Sequence, residues 1–299
     1  MMDARLARIG RLAAVAQGLE REGAYNGAKL LRAALESELV RYNNVEAPSG
    51  GADVAAALDA LATELGADLP PAVAALLPAV ADHVRAGRTI PLADAPRTRV
   101  CRACGEVLLG DEPPTTCPTC EAPPLSLREM LPIWYLDPAS PAELLAGIEA
   151  GRQQVLAAVA NVSNETLATQ PAPGEWSARQ TLEHLLFAEG LFAERIGRLL
   201  DEDEPNLASR AVWAETPASD EGTVATESTA SELAAQIAEL RSATIARLRS
   251  LPAEAWERAG MHPEWGRVTV QTQTSYFARH MASHMAQLNA AAEGRLPGR

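Results

Sequence analysis

The chain has 299 residues, enough for two compact domains or three, and its 47% hydrophobic content excludes global disorder. A formal charge of −13 and a pI near 4.9 argue against a nucleic-acid partner, because phosphate binding needs a concentrated basic surface. No stretch approaches the roughly 18 apolar residues that span a bilayer, and "MMDARLARIGRLAAVAQGLE" lacks the uninterrupted apolar run of a signal peptide, so a cytoplasmic protein without a membrane partner is expected.

Aromatic residues make up only 4% while alanine and leucine dominate, which predicts an aliphatic, small-residue core of the kind helical bundles use. Residues 3–46 read as a helical hairpin broken near "REGAYNG", with Leu6, Ile9, Leu12, Ala13, Ala16 and Leu19 at helical spacing. A second hairpin, "DVAAALDALATELGADLPPAVAALLPAVADHVRAG", breaks at Pro70 and Pro71, and "TIPLADAPRTR" reads as a linker. Residues 1–90 are therefore taken as one helical domain. His83, near its end, is expected to be structural.

All four cysteines follow in "CRACGEVLLGDEPPTTCPTC". Cys101 and Cys104 form one CxxC, and Cys117 and Cys120 a second. Two such knuckles can close four thiolates tetrahedrally on one ion. In a cytosolic chain this pattern indicates metal before disulfides, with zinc and iron equally compatible. "LPIWYLDPASPAELL" then leads into the C-terminal half, with Trp134 and Tyr135 expected to pack at a domain junction or else to stack on a ligand.

Four helix starts follow. Ser140, Pro141 and Glu143 provide an N-cap, a proline at the first helical position and a capping-box acid; Ser177 with Gln180 and Thr229 with Glu232 repeat the box. A fourth helix runs from about Val270 to Glu293 and stops at Gly294. The connection containing "DEDEPNLASRAVWAETPASDEG" is long, "DEDE" reads as a solvated loop, and no strong strand pattern is evident. Four amphipathic helices with long connections suggest a four-helix bundle over 138–299.

Two of the five histidines, His280 and His284, lie four residues apart in "RHMASHMAQLNA". On a helix they project side by side, one turn apart, towards the side that carries Phe277, Met281 and Leu288. Inward-facing imidazoles need hydrogen bonds or a metal, since burying a bare polar group is costly. His184 lies on the second helix beside Leu185, Leu186, Leu191 and Phe192. Three neutral imidazoles could hold a divalent ion and leave a coordination position open; the alternative is two surface histidines and an unrelated core one. His262, in "GMHPEWGR", is expected to line the mouth of a pocket, to cap a turn or to lie at the surface.

"PAPGEWSARQTLEHLLFAEGLF" and "MHPEWGRVTVQTQTSYFARHMASHMAQLNA" resemble the DinB-like family of helical-bundle metalloproteins, through Trp176, Ser177, His184, His280, His284 and Gln287. That resemblance implies an up-down-down-up four-helix bundle, often dimeric, with His184, His280 and His284 holding zinc, nickel or a similar ion. It further implies a small-molecule partner and thiol-dependent S-transfer, with a low-molecular-weight thiol such as bacillithiol or mycothiol as cosubstrate; the metal chemistry alone also suits hydrolysis. The cysteine segment, over 97–130, resembles the rubredoxin-like domain of rubrerythrins through "GDEPP" and "CPTCEAP", which would favour iron and electron transfer, although Glu106 replaces an aromatic residue. "EGAYNGAKLLRAALESELVRY" is similar to a rubrerythrin helix that carries ExxH di-iron ligands. Here Glu38 is present but Arg41 stands in the histidine's place, and the second hairpin offers only Asp82 and His83, so a degenerate, metal-free domain is expected. The fold is thus expected to be mainly α: a helical N-terminal domain, a rubredoxin-like metal knuckle and a DinB-like bundle. The function is expected to be metal-dependent transfer or hydrolysis at the histidines, or else a non-catalytic metal-binding or electron-transfer module.

Overall fold

A computed structural model describes residues 2–46, 51–64, 69–88, 90–112, 114–207 and 227–296. The chain divides into two compact units, residues 1–57 and 58–298.

In the first unit, α1 (Met2–Arg21) and α2 (Tyr25–Glu46) form the predicted hairpin. Gly23 takes φ +74, a conformation that favours glycine, and lets Ala24 N–H return to Leu19 C=O at 2.8 Å. Ile9, Leu12, Ala16 and Leu19 do turn inward, but Leu6 and Ala13 stay exposed, because a two-helix hairpin buries only one narrow stripe of each helix. Glu38 pairs with Arg8 at 3.0 Å and lies 3.9 Å from Arg41, so this carboxylate faces cations.

The second unit takes up α3 (Gly51–Glu64), which crosses the division, then α4 (Pro71–Ala74) and α5 (Leu77–Arg85). His83 is structural as expected, bonded through Nε2 to Asp94 Oδ2 at 2.6 Å. The cysteine segment forms a three-stranded antiparallel sheet of β1 (Thr98–Cys101), β2 (Val107–Leu109) and β3 (Leu127–Met130), ordered β2-β1-β3. A second hairpin joins β4 (Ala259–His262) to β5 (Gly266–Thr269). These strands run only three or four residues, too short for an alternating pattern to stand out in the sequence.

The remainder is a four-helix bundle of α6 (Pro141–Val159), α8 (Ala178–Asp201), α9 (Ala230–Arg249) and α10 (Val270–Ala292), with the one-turn α7 (Asn164–Ala168) between the first two. All three predicted capping boxes form, on Ser140, Ser177 and Thr229. The fourth helix ends at Ala292, followed by Gly294 at φ +67. The long connection between α8 and α9 lies outside the described residues from 208 to 226; its "DEDE" start is exposed, as expected.

Side-chain neighbours fix the helix directions. Gly147 faces Ala278 and Gly151 faces Met281, so α6 and α10 run parallel. His184 meets His284 while Phe192 meets Phe277, so α8 runs opposite to α10. Glu189 pairs with Arg241 and Asp201 with Arg247, so α9 runs with α8. The order is up-down-down-up.

Two apolar layers fill the bundle. One contains Leu182, Leu185, Ile237, Met281 and Leu288; the other contains Ile148, Phe192, Ile245, Trp256 and Phe277. Between Ile237 and Ile245, one turn from each, sits Arg241. It is fully buried and donates to both Glu189 carboxylate oxygens at 2.7 and 2.8 Å, to Ile148 C=O at 3.0 Å and to Phe277 C=O at 3.2 Å. Gly151 makes room for it: a Cβ there would fall 2.5 Å from Arg241 Nη1.

Candidate metal centres

The three predicted histidines come together where the two apolar layers meet. α8 supplies His184 and α10 supplies His280 and His284, and one ligating atom from each lies within 4.8 Å of the others. His184 Nε2 and His280 Nε2 are 3.4 Å apart. Nitrogens held at about 2.0–2.1 Å by a tetrahedral ion stand about 3.3 Å apart, so the donors fit such an ion.

Protonation agrees with that use. Burial, followed by the neighbouring His284 and His184 and by Arg241, pushes His280 down to about 3. Burial likewise lowers His284, against an opposing hydrogen bond from Gln287 and with a further push from His184. Both imidazoles are neutral near pH 7 and offer lone pairs. Gln287 Oε1 lies 3.1 Å from His284 Nδ1, so the amide oxygen accepts the Nδ1 proton and leaves Nε2 as the donor to an ion.

Aromatic rings wall the centre. Trp176 lies 5.2 Å from His184 and Phe192 lies 5.2 Å from His280, between ring centroids. Tyr135 sits edge-on to His280 at 6.0 Å and donates to Ser283 Oγ at 2.7 Å, which in turn donates to His280 C=O at 2.7 Å. Tyr135, expected to pack at a junction or else to stack on a ligand, thus supports the histidine centre through Ser283. Tyr276, one turn before His280, was within reach of the helical spacing; Tyr135, from a distant connection, was not.

His262 is buried, and its Nδ1 accepts from Glu264 N–H at 3.2 Å and Trp265 N–H at 3.3 Å. It caps the β4–β5 turn, as one expectation had it, and its burial rules out the surface role that was the alternative. Burial, with Arg195 nearby, holds it down at about 3. Its ring stacks on Trp265 at 3.9 Å, Trp265 on Tyr276 at 4.8 Å and Tyr276 on His280 at 6.0 Å, so the turn is tied to the centre through a column of rings.

The four cysteines form a second cluster, also within 4.8 Å of one another. Cys101 and Cys120 Sγ are 3.7 Å apart, as are Cys104 and Cys117. A tetrahedral ion with sulfurs at about 2.3 Å has an edge of about 3.8 Å, whereas a disulfide requires about 2.05 Å. Each CxxC is closed by a turn. Gly105 N–H donates to Cys101 C=O and Glu121 N–H to Cys117 C=O, both at 2.8 Å, with Gly105 at φ +85 and Glu121 at φ +60. Burial raises the Cys101 thiol, but the Ala103 and Cys104 amides and two neighbouring sulfurs outweigh it, leaving about 7. The Glu106 amide lowers Cys104, yet burial and the three other sulfurs push it up to about 12. Four thiolates this close need a cation to ionise together.

The family model described as DinB superfamily matches residues 147–288, a segment that lies inside the bundle and carries all three histidines. Two solved structures from Bacillus subtilis are similar to this chain. One is YfiT, described as "a probable metal-dependent hydrolase with an unusual four-helix bundle topology", at 21% identity over 51% of this chain and 86% of YfiT, with a TM-score of 0.42. The other is the DinB-like protein YjoA, at 19% identity over 52% of this chain and 96% of YjoA, with a TM-score of 0.37. Among curated proteins, none matches the chain. Among the described residues, no helix is long and apolar enough to cross a membrane.

Proposed function

We propose that His184, His280 and His284 hold a divalent ion, zinc or nickel, at which the protein carries out thiol-dependent S-transfer or hydrolysis on a small molecule. The observation that carries this reading is the convergence of three imidazole nitrogens, with His280 and His284 kept neutral and His284 oriented by Gln287. An ion bound there supplies Lewis acidity, which lowers the pKa of a coordinated water or thiol. The chain's own residues shape the surroundings: Phe192 and Tyr276 shield His280 from water, and Tyr135 and Ser283 hold its backbone. All four cysteines are gathered in the other cluster, so a nucleophilic thiol has to come from a cosubstrate of low molecular weight. The test is metal content per chain, for wild type and for the His184→Ala/His280→Ala/His284→Ala variant. Two ions falling to one is expected. One ion in both, with no recovery on reloading, sinks the reading.

For the cysteine cluster, the 3.7 Å sulfur separations support a tetrahedral zinc or iron site. With iron it would serve electron transfer; with zinc it would brace a small sheet. Visible absorbance that bleaches reversibly on reduction separates the two, and a colourless zinc form rules out electron transfer.

A further inference from the structure

Arg195 is almost as buried as Arg241, but its surroundings are the opposite. It is 6% exposed, its Nε has no hydrogen-bond partner, and no carboxylate among the described residues forms an ion pair with it. Arg241, in the same bundle, has a bidentate carboxylate and two carbonyls. A desolvated guanidinium without an acceptor is costly, and its planar fork matches a carboxylate. The fold satisfies Arg241, and among the described residues it leaves Arg195 without a carboxylate partner.

Its position relates it to the histidine centre. Arg195 follows His184 by eleven residues on α8, which is three helical turns, so the two share one face about 16 Å apart along the axis. Phe192, one turn before Arg195, lies 5.2 Å from His280. The Arg195 guanidinium carbon is 5.7 Å from the centre of the Trp265 ring, which stacks through Tyr276 towards His280. An aromatic wall therefore runs from the histidines to an unpaired cation. Two acids, Glu194 and then Glu264, attract Arg195 from a distance, but neither forms an ion pair with it, and Glu264 accepts a hydrogen bond from the Ile90 backbone.

We propose that Arg195, beside Trp265, is an anion subsite that receives a carboxylate of an elongated small molecule whose other end reaches the histidine centre. The second half of that statement rests on the metal-site reading; the subsite itself does not. The carboxylate can belong to the thiol cosubstrate or to the molecule it attacks.

The test is calorimetric titration of the full chain, zinc-loaded and metal-stripped, with glutathione, with adipate, and with adipamide as the neutral control. Wild type is expected to bind at least one of the two carboxylates, and Arg195→Met to weaken that binding tenfold or more without changing adipamide binding. Loss confined to glutathione assigns the carboxylate to the thiol, and loss confined to adipate assigns it to the other substrate. Arg195→Met is expected to melt no lower than wild type, since it removes an unpaired buried charge. If it does not fold, Arg195→Lys, which keeps the charge but not the fork, is expected to weaken the same binding at least threefold. Persistence of the effect in metal-stripped protein separates the subsite from the fate of the metal reading. Wild type that binds neither carboxylate, or substitutions that leave binding within twofold, overturns the proposal.

Discussion

The two clusters reach similar donor spacings by opposite routes. The cysteines come from a stretch of twenty residues and are held by two tight turns and three short strands. Among the described residues 97–130, the buried side chains are Arg99, Cys101 and Cys117, so the segment has no apolar core apart from its own ligands. The histidines come from helices nearly a hundred residues apart in sequence, and packed layers of leucine, isoleucine, methionine and phenylalanine bring them together. A ligand set without a core should depend on its ion for folding, whereas one built on a core should be in place before the ion arrives.

The largest expected effect follows directly. Removing metal with a strong chelator under reducing conditions should unfold the cysteine segment and leave the bundle folded. Limited proteolysis should show cleavage within 97–130 accelerating by at least about tenfold, because opening of a metal-dependent fold is then no longer opposed by ligand binding. Helical circular dichroism should stay nearly constant. Equal protease resistance with and without metal would break the contrast between the two sites.

The histidine centre should instead be sensitive to the bundle's interior. Glu189→Ala leaves Arg241 buried without its carboxylate, at an expected cost of about 3–5 kcal/mol in urea denaturation. Glu189→Leu combined with Arg241→Met should recover most of that loss, since an apolar pair of similar volume removes both charges. The pair also sets a pH dependence. Burial outweighs the attraction of Arg241 and raises the Glu189 carboxyl to about 6. The folded protein thus binds this proton more readily than the unfolded chain, in which a glutamate titrates near about 4.3. Stability should therefore fall as pH rises from the ordinary carboxylate range to about 6 and level off above, a slope the double variant lacks. A double variant as unstable as Glu189→Ala would show that the pair contributes shape more than charge.

What could be read from the sequence divides along the same line. The cysteine spacing carries its whole geometry locally, and the three capping boxes mark their helices to the residue, because caps and knuckles are interactions over three or four positions. The His280–His284 pair is equally local. Joining His184 to it was one of two readings the residues left open, and the resemblance favoured it, since no periodicity links α8 to α10. The short strands escaped notice because three or four residues cannot show a period of two. Arg241 and Glu189 look like ordinary charged residues on amphipathic helices; only the packing makes them the layer between two apolar cores. Arg195 was missed for the same reason, as was the link from Tyr135 through Ser283 to His280, and Leu6, though at helical spacing, stays exposed because a two-helix hairpin covers only one stripe.

The smallest effect separates the two clusters within a single variant. Gln287 touches no ion; its Oε1 accepts from His284 Nδ1 and so selects the tautomer that presents Nε2. Gln287→Leu keeps a side chain of similar size and a good helix former, so the fold should hold. His284, without its acceptor, can then carry its proton on either nitrogen and turn about its ring axis. Affinity for zinc at the histidine centre should fall by about 10–100-fold, the usual cost of losing an outer partner. The cysteine cluster, which has no contact with Gln287, should hold its ion unchanged. Competition with a graded series of chelators reads both sites in one titration. Gln287→Glu supplies a stronger acceptor and should restore or exceed wild-type affinity at the histidines, which a role for Gln287 in packing alone would not produce.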